Sequence, residues 1–375
     1  MRILYWGTYD VGKPRTRLLR DGLRSNGVTV DEIHSDLWRG IEDKSQVRGV
    51  TRKLCLLARW LFCYPRLLWL LCRVTRPDVL MVGFPGVLDV LLVAPIARIR
   101  GIPLAWDMFM SIYDTVVEDR KLLLPHRLPA RVLHALEGFA LRRADLVFLD
   151  TRAHAERVEN LFRIERGTIG SVWVGAEATH FHPSEKSALP GEQLIVLFYG
   201  QFIPLHGIET IIRAARLMRD EPVQWQLIGR GQEAPLIEVM LREDPLSRLQ
   251  WDAWVDYAEL PKRIADADIC LGIFGTSEKA ACVIPNKVFQ IVAMGRPVIT
   301  RDSPGMRELL TNIPPCSYLI PPHDAEALAD AIRDFTMHRV PDMSRCHASL
   351  EGKIDSHAIG RQCIALLNRT FDLEG

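Results

Sequence analysis

"CVIPNKVFQIVAMGRPVIT", residues 282–300, joins a helix built for a protein interior to polar groups at its start. Val288 to Val292 is apolar enough to pack inside a protein, yet Lys287 and Gln290 sit three apart and share one helical face. Asn286 and Lys287 follow Pro285, where helices like to begin. Gly295-Arg296-Pro297 then leads into Val-Ile-Thr, a strand. An ammonium and an amide at the start of a helix that packs on a sheet raise the question of what they face.

Outward from this stretch, strand-like runs alternate with helical ones. "RILYWG", "VTVDEIH", "DVLMVGFP", "PLAWDMF", "ADLVFLD" and "IGSVWVG" are separated by helical segments in the first half. "HFHPSEKSALPGEQ" (180–193) breaks the texture and reads as a linker. The alternation restarts with "LIVLFYG", "VQWQLIG", "LQWDAWV", "ADICLGIFG" and "RPVIT". Short apolar strands with intervening helices imply parallel strands and crossover connections. The expected fold is α/β, with two Rossmann-like doubly wound domains in tandem facing a cleft. The expected bounds are 1–183 for the first domain, 184–192 for a linker and 193–355 for the second. Residues 356–375 are expected as a C-terminal helix that packs back on the first domain.

Bulk composition agrees with this reading. A chain of 375 residues suits two cores, and 48% hydrophobic with 25% charged residues is ordinary globular composition. A net charge of +1 gives no global field toward nucleic acid, which is excluded as a partner on that ground. Eight cysteines, none in a C-x-x-C pair, read as reduced buried thiols of a cytoplasmic protein. The chain opens on "MRILYWG", a buried strand, with no signal-peptide pattern.

One segment stands apart. "RKLCLLARWLFCYPRLLWLLCRVTR" (52–76) is nearly long enough to span a bilayer, but each central arginine costs about 2.5–3.5 kcal/mol there. Arg52, Arg59, Arg66 and Arg73 recur every seven residues and share one helical face. Two readings stay open: a helix packed on the sheet with a basic outer edge, or an amphipathic element in peripheral contact with the anionic inner face of a membrane. Pro65 is expected to kink or divide it.

Ligands of doubly wound sheets bind outside the carboxyl ends of the strands. Three loops there have anion-binding chemistry. "FYGQFIPLHGIETII" places Gly200 after a strand and Gly207 before a helix, with His206 as an added donor. "QLIGRGQE" places Gly229, Arg230 and Gly231 after another strand. The opening stretch adds Asn286, Lys287 and Gln290. Taken singly, each is also compatible with a plain turn or a solvated side chain.

"GQFIPLHG", "LIGRG" and "PNKVFQIVAMGRPVI", in this order and spacing, resemble the nucleotide-sugar-binding half of GT-B fold glycosyltransferases, specifically retaining family 4. "VGAEATHFHP" resembles that family's linker pattern. The resemblance implies transfer of a sugar from a nucleotide-sugar donor to a hydroxyl acceptor, a saccharide or lipid-linked saccharide, with retention and no cofactor. The sequence departs at four points. Gln201 stands for the family arginine and His206 for its lysine. Cys282 and Gln290 stand for the two glutamates of E-x7-E. Lys279, Lys287 and Arg230 are expected to supply the missing charge, with Gln290 keeping the ribose contact.

In the first half, "GTYDVGKPRTRLL" (7–19) matches the family's glycine-containing loop near the donor phosphates, which implicates Gly12 and Arg15. "AWDMFMSIYDTVVEDRK" (105–121) offers Asp107 to orient or deprotonate an acceptor hydroxyl. Asp107, His206 and Lys287 are the expected catalytic residues, and Tyr113, Asp114 and Arg120 the acceptor contacts. The alternative for Asp107 is a helix cap. The nucleobase is placed after "LQWDAWV", near Trp254 and Tyr257. With no D-x-D between the domains and no His/Cys cluster, no metal is expected. Two other functions remain open, a non-catalytic partner subunit and a nucleotide-sugar 2-epimerase.

Overall fold

The computed structural model describes residues 1–37, 50–184, 193–338 and 346–373, with 50–57 as backbone only. Linker residues 185–192 and the side chains of Arg52 and Cys55 therefore lie outside the described residues. The chain forms two compact units, one of residues 1–114, 123–174 and 355–375, the other of residues 115–122 and 175–354.

The first unit begins with β1 (Arg2–Gly7), α1 (Pro14–Ser25), β2 (Thr29–His34) and α2 (Val50–Arg73). It continues through β3 (Val79–Val82), α3 (Val87–Arg100), β4 (Leu104–Phe109), α4 (Leu128–Leu141), β5 (Leu146–Leu149), α5 (Arg152–Phe162) and β6 (Gly170–Ser171). The six strands lie in the order β2-β1-β3-β4-β5-β6, all pairs parallel. All residues of β3 and β4 are buried, as expected of strands covered on both faces.

The second unit runs β7 (Leu194–Tyr199), α6 (Ile208–Leu217), β8 (Val223–Ile228), α7 (Ala234–Glu243), β9 (Leu249–Asp252), α8 (Leu260–Asp266) and β10 (Ile269–Leu271). Then come α9 (Glu278–Cys282), α10 (Asn286–Ala293), β11 (Val298–Arg301), α11 (Pro304–Arg307), β12 (Ser317–Ile320) and α12 (Ala325–His338). Its strand order is β12-β11-β10-β7-β8-β9, again all parallel. The order reverses between β7 and β10, so the crevice outside their carboxyl ends is the ligand position that this topology creates. Ile208, Ile211, Ile212 and Ala215 of α6 pack with Leu328, Ile332 and Phe335 of α12 over the sheet.

The last helix, α13 (Ser356–Phe371), belongs to the first unit and lies along α1. Gly22 and Gly360 make the crossing close: a Cβ on Gly22 would lie 2.0 Å from the Ser356 carbonyl oxygen. Ile359, Leu366 and Leu367 are buried with Leu19 and Leu23 in one core, each contributing about 1.5–3 kcal/mol.

Two expectations are corrected. Pro65 does not divide the basic helix, since α2 runs through it. Pro65 and Leu61, whose carbonyl loses its donor to the proline, are both on the exposed side. The cysteines are not all reduced, because Cys316 and Cys346 form a disulfide with Cα atoms 5.0 Å apart. Thirty residues separate them in sequence, so no short spacing motif reveals the pair. Nor are the free thiols uniformly buried, as Cys72 is exposed. Among the described residues, no helix is long and apolar enough to cross a membrane.

Candidate nucleotide site of the second unit

The crevice at the ends of β7 and β10 is assembled from glycines that let loops touch. Gly200 follows β7 at φ +139° and Gly229 follows β8 at φ +145°. A Cβ on Gly229 would lie 1.9 Å from the Gly200 carbonyl oxygen, so only glycine fits there. The Phe202 amide donates to the Arg230 carbonyl at 2.9 Å, and Trp251 Nε1 donates to the Gly229 carbonyl at 2.9 Å. On the other side, Gly207 caps α6 at φ +64°, and the Phe274 amide donates to the His206 carbonyl at 3.0 Å. The loops after β7, β8 and β10 are thus stitched together.

Lys287 and His206 converge on Gly200. A Cβ there would lie 3.0 Å from Lys287 Nζ and 3.1 Å from His206 Cε1. Lys287 is 5% exposed, with Nζ 3.4 Å from the Gly272 carbonyl oxygen and 3.7 Å from the centre of the Phe198 ring. Among the described residues no carboxylate is within ion-pair distance of it. Burial alone pushes its ammonium well below the usual lysine range. Burial and then Lys287 hold His206 well below the usual histidine range. Its Nδ1 bonds the Gln201 carbonyl, which only accepts, so Nδ1 carries the proton and Nε2 is left as an acceptor. His206 therefore sits in the crevice as a neutral imidazole.

Here lies the answer to the opening stretch. The polar face of α10 points inward, with Lys287 against β7 and the Tyr199 hydroxyl 3.1 Å from both the Lys287 carbonyl and Gln290 Oε1. Gln290 is buried, and its amide oxygen accepts from the Tyr199 hydroxyl and holds the helix to β7. Asn286, at the first turn, is half-buried, and Arg230 is exposed.

Residues 115–122, although they come from the first half of the chain, belong to this unit. They include most of a π-helical turn at Asp114–Asp119 and lie across the same loops. Lys279 Nζ donates to Thr115 Oγ1 at 2.5 Å, and Ser277 Oγ donates to Asp119 Oδ1 at 2.6 Å. Arg120 Nη2 donates to Gln201 Oε1 at 3.2 Å, while Gln232 Nε2 donates to the Arg120 carbonyl at 3.1 Å. Lys279 is buried, with its ammonium on Thr115, and Arg120 stands against the loops after β7 and β8. Buried Arg301, at the end of β11, donates to the Gly275 carbonyl and braces this loop. Arg301, Phe198 and Tyr199 were not recognisable from motif spacing, because each acts through a neighbour brought close only by the sheet.

The first unit corrects several other expectations. Asp107 and Arg15 form an ion pair at 2.9 Å, each side chain 1% exposed. Arg15 Nη1 also donates to the carbonyls of Val172 and Trp173 at 2.5 and 2.8 Å. Against the cost of burial, Asp107 raises the Arg15 guanidinium above its usual range. Both groups tie α1 to β4 and the chain beyond β6; neither is available to a substrate. Asp114 is fully buried on Arg157 at 2.7 Å, and Tyr113 is a core ring edge-on to His134 at 4.8 Å. Gly12 is not among the glycines of positive φ, and its amide donates to Asp10 Oδ1 at 2.9 Å. In the second unit, Trp254 is exposed, and the Tyr257 hydroxyl donates to Glu177 at 2.5 Å.

No group of three or more His, Cys, Asp or Glu among the described residues is arranged to hold a metal ion. The one D-x-D, Asp266-Ala267-Asp268, lies before β10 at the wrong end of the sheet, where Asp268 accepts the Ile195 amide at 2.8 Å.

Residues 193–337, which contain this crevice, match the family model described as "Glycosyl transferases group 1". WcaI of Escherichia coli (strain K12), which carries the name of a colanic acid biosynthesis glycosyl transferase, is 29% identical over 147 residues. That alignment covers 39% of this chain and 36% of the relative. Sucrose-phosphate synthase of Thermosynechococcus elongatus superposes with a TM-score of 0.72 at 18% identity, covering 99% of both chains. Anabaena HepE in complex with UDP superposes with a TM-score of 0.66 at 14% identity, covering 98% of this chain and 100% of that one. The whole chain has the fold of these GT-B structures.

Proposed function

Because residues 193–337 form a glycosyl transferases group 1 domain within a GT-B fold, we propose that the protein transfers a sugar from a nucleotide-sugar donor to a hydroxyl acceptor. The observation that carries this reading is Lys287: a buried ammonium without a carboxylate, set against Gly200 and His206 at the switch point of the sheet. A lysine buried there, whose charged form burial disfavours, is explained by an anionic ligand that offsets that cost.

The chemistry follows from what departs. As the bond from the sugar anomeric carbon to the diphosphate breaks, negative charge grows on the departing phosphate. Lys287, buried beside Gly200, stabilises that charge. The acceptor oxygen bonds to the same carbon, and its proton passes to the departing phosphate oxygen, which gives retention of configuration. Neutral His206, with Nε2 as an acceptor, orients a donor hydroxyl. No step calls for a metal ion, and the reaction is expected to persist in EDTA.

The acceptor reading is a saccharide or lipid-linked saccharide at an anionic membrane surface. It is supported by α2, which exposes Leu61, Phe62 and Trp69 beside Arg59, Arg66 and Arg73. Arg73 stacks 3.9 Å over the Trp69 ring. Replacing Arg59 and Arg66 together with alanine is expected to release the protein from anionic vesicles; unchanged binding removes the membrane from the reading.

Calorimetry with UDP, GDP and ADP, followed by a product assay over a panel of nucleotide sugars, tests the function. Tight binding of one diphosphate with transfer of its sugar is expected. Binding of none of the three would leave a non-catalytic partner subunit as the better reading.

A further inference from the structure

The two faces of the first sheet carry helices of different surface chemistry. The connections from β2 to β3, β3 to β4 and β4 to β5 advance the same way across the strand order, so right-handed crossovers place α2, α3 and α4 on one face. The connection from β1 to β2 runs the opposite way, which places α1, with α13, on the other. Among the described residues α1 and α13 expose no large apolar side chain; Asp21, Arg24, Arg361 and Arg369 are typical of what they present.

Across α2, α3 and α4 the pattern inverts. On α4, exposed Leu128, Val132 and Leu136 recur every four residues and exposed Phe139 follows after three, so the four form one stripe. The stripe lies away from the core, which takes Ala130, Glu137, Gly138 and Leu141 of the same helix. Ile99 of α3 is 85% exposed and Phe62 of α2 is 81% exposed. Arg100 of α3 donates to the Leu71 and Val74 carbonyls at the end of α2, and α3 packs on α4, so the three helices make one layer.

The surface charge of this layer has one sign. α2 contains no Asp or Glu, and the single acids of α3 and α4, Asp89 and Glu137, are buried. Arg59, Arg66 and Arg73 of α2, Arg98 of α3 and Arg131 of α4 are exposed. Arg143, just beyond α4, lies 4.5 Å over the Phe139 ring, as Arg73 lies over Trp69 on α2. Two separate helices thus present a guanidinium laid on an exposed aromatic ring. The pattern stops at α5, which exposes Glu156 and Asn160 and, among the described residues, no large apolar side chain.

An extended apolar patch marks an interaction surface. Its charge selects the partner. A second copy of the chain would set arginine against arginine across a symmetric contact. An anionic bilayer takes up the apolar stripe and neutralises the arginines. We propose that α2, α3 and α4 together form a docking face of the first unit for an anionic lipid bilayer, with the α4 stripe as a second anchor beside α2. This extends the membrane reading of α2 and rests on it.

The test uses the full chain and co-sedimentation with vesicles of phosphatidylcholine alone and of phosphatidylcholine mixed with phosphatidylglycerol. The wild-type protein is expected to prefer the mixed vesicles and to bind them less as salt is raised. Val132→Glu/Phe139→Glu, at exposed positions, is expected to weaken that binding by about tenfold or more with Tm unchanged. Arg131→Ala/Arg143→Ala is expected to weaken it in the same direction, and decides the matter if the first variant melts early. Failure of the wild-type protein to bind the mixed vesicles would remove both the membrane reading of α2 and this inference. Release by Arg59→Ala/Arg66→Ala together with unchanged binding by both α4 variants would overturn the inference alone. So would a wild-type dimer in sedimentation equilibrium that Val132→Glu/Phe139→Glu converts to monomer, because a second copy would then cover the stripe.

Discussion

Replacing Lys287 with methionine should move stability and binding in opposite directions. The ammonium is 5% exposed, faces a carbonyl at 3.4 Å and an aromatic ring at 3.7 Å, and has been pushed well below its usual 10.5 by burial. Methionine matches the lysine stem in length and flexibility and leaves no polar atom to satisfy. Exchanging a buried charge for a packed apolar group stabilises by about 1–4 kcal/mol. In a unit of this size each kcal/mol raises Tm by about 2–4 °C.

The pH dependence fixes the sign independently. Because the folded pKa of Lys287 is depressed, the folded protein binds fewer protons than the unfolded chain between the two values. The stability from this position is complete above the usual 10.5 and is lost as pH falls toward the folded pKa. The advantage of Lys287→Met over wild type should therefore widen as pH falls through that window. Binding runs the other way. A phosphate brought against Nζ favours the charged form, so losing the ammonium should weaken donor binding. Loss of a charge-assisted hydrogen bond costs about 1.5–3 kcal/mol, roughly ten- to a hundredfold in Kd. A lower Tm for Lys287→Met, combined with unchanged nucleotide affinity, would refute the reasoning.

Three further outcomes are expected. Gly229→Ala should lower the stability of the second unit by about 3 kcal/mol or more, since its Cβ would meet the Gly200 carbonyl at 1.9 Å with φ at +145°; a wild-type melting curve would contradict the packing described. Arg15→Met strands a buried carboxylate on Asp107 and should cost about 3–5 kcal/mol by chemical denaturation, with Arg15→Met/Asp107→Leu recovering most of it; full activity of the double variant would confirm that Asp107 is structural. Glu137, buried under the amides of Ile112 and Tyr113 at 2.8 and 2.9 Å, is pushed up by burial to about 7. Its stabilisation is present below its unfolded value and is lost as pH rises through 7, so wild type should lose about 3 kcal/mol relative to Glu137→Gln between pH 4 and 8. A gap constant with pH would show that Glu137 stays ionised.

What sequence could and could not deliver follows from how each signal arises. Alternating apolar runs depend on period alone, so "LIVLFYG", "VQWQLIG" and the helix after Pro285 announced the parallel sheet and its post-strand glycines without knowledge of distant contacts. Gly200, Gly207 and Gly229 were legible because the backbone itself demands them, and Lys287 because a cation inside an apolar helix contradicts its surroundings. Asp107, Arg15 and Asp114 misled for the opposite reason. An acid at the end of a strand looks the same whether it awaits a substrate or is already matched by an arginine, and the matching residue lies 92 positions away for Asp107 and 43 for Asp114. Gln290 likewise reads as a free amide until Tyr199, 91 positions earlier, takes its oxygen. Arg120 was visible as a charge, but nothing in its own segment says that residues 115–122 fold into the second unit. Position along the chain is a guide to role only where a unit is continuous. Here the compact unit that holds the crevice borrows eight residues, 115–122, from before the linker.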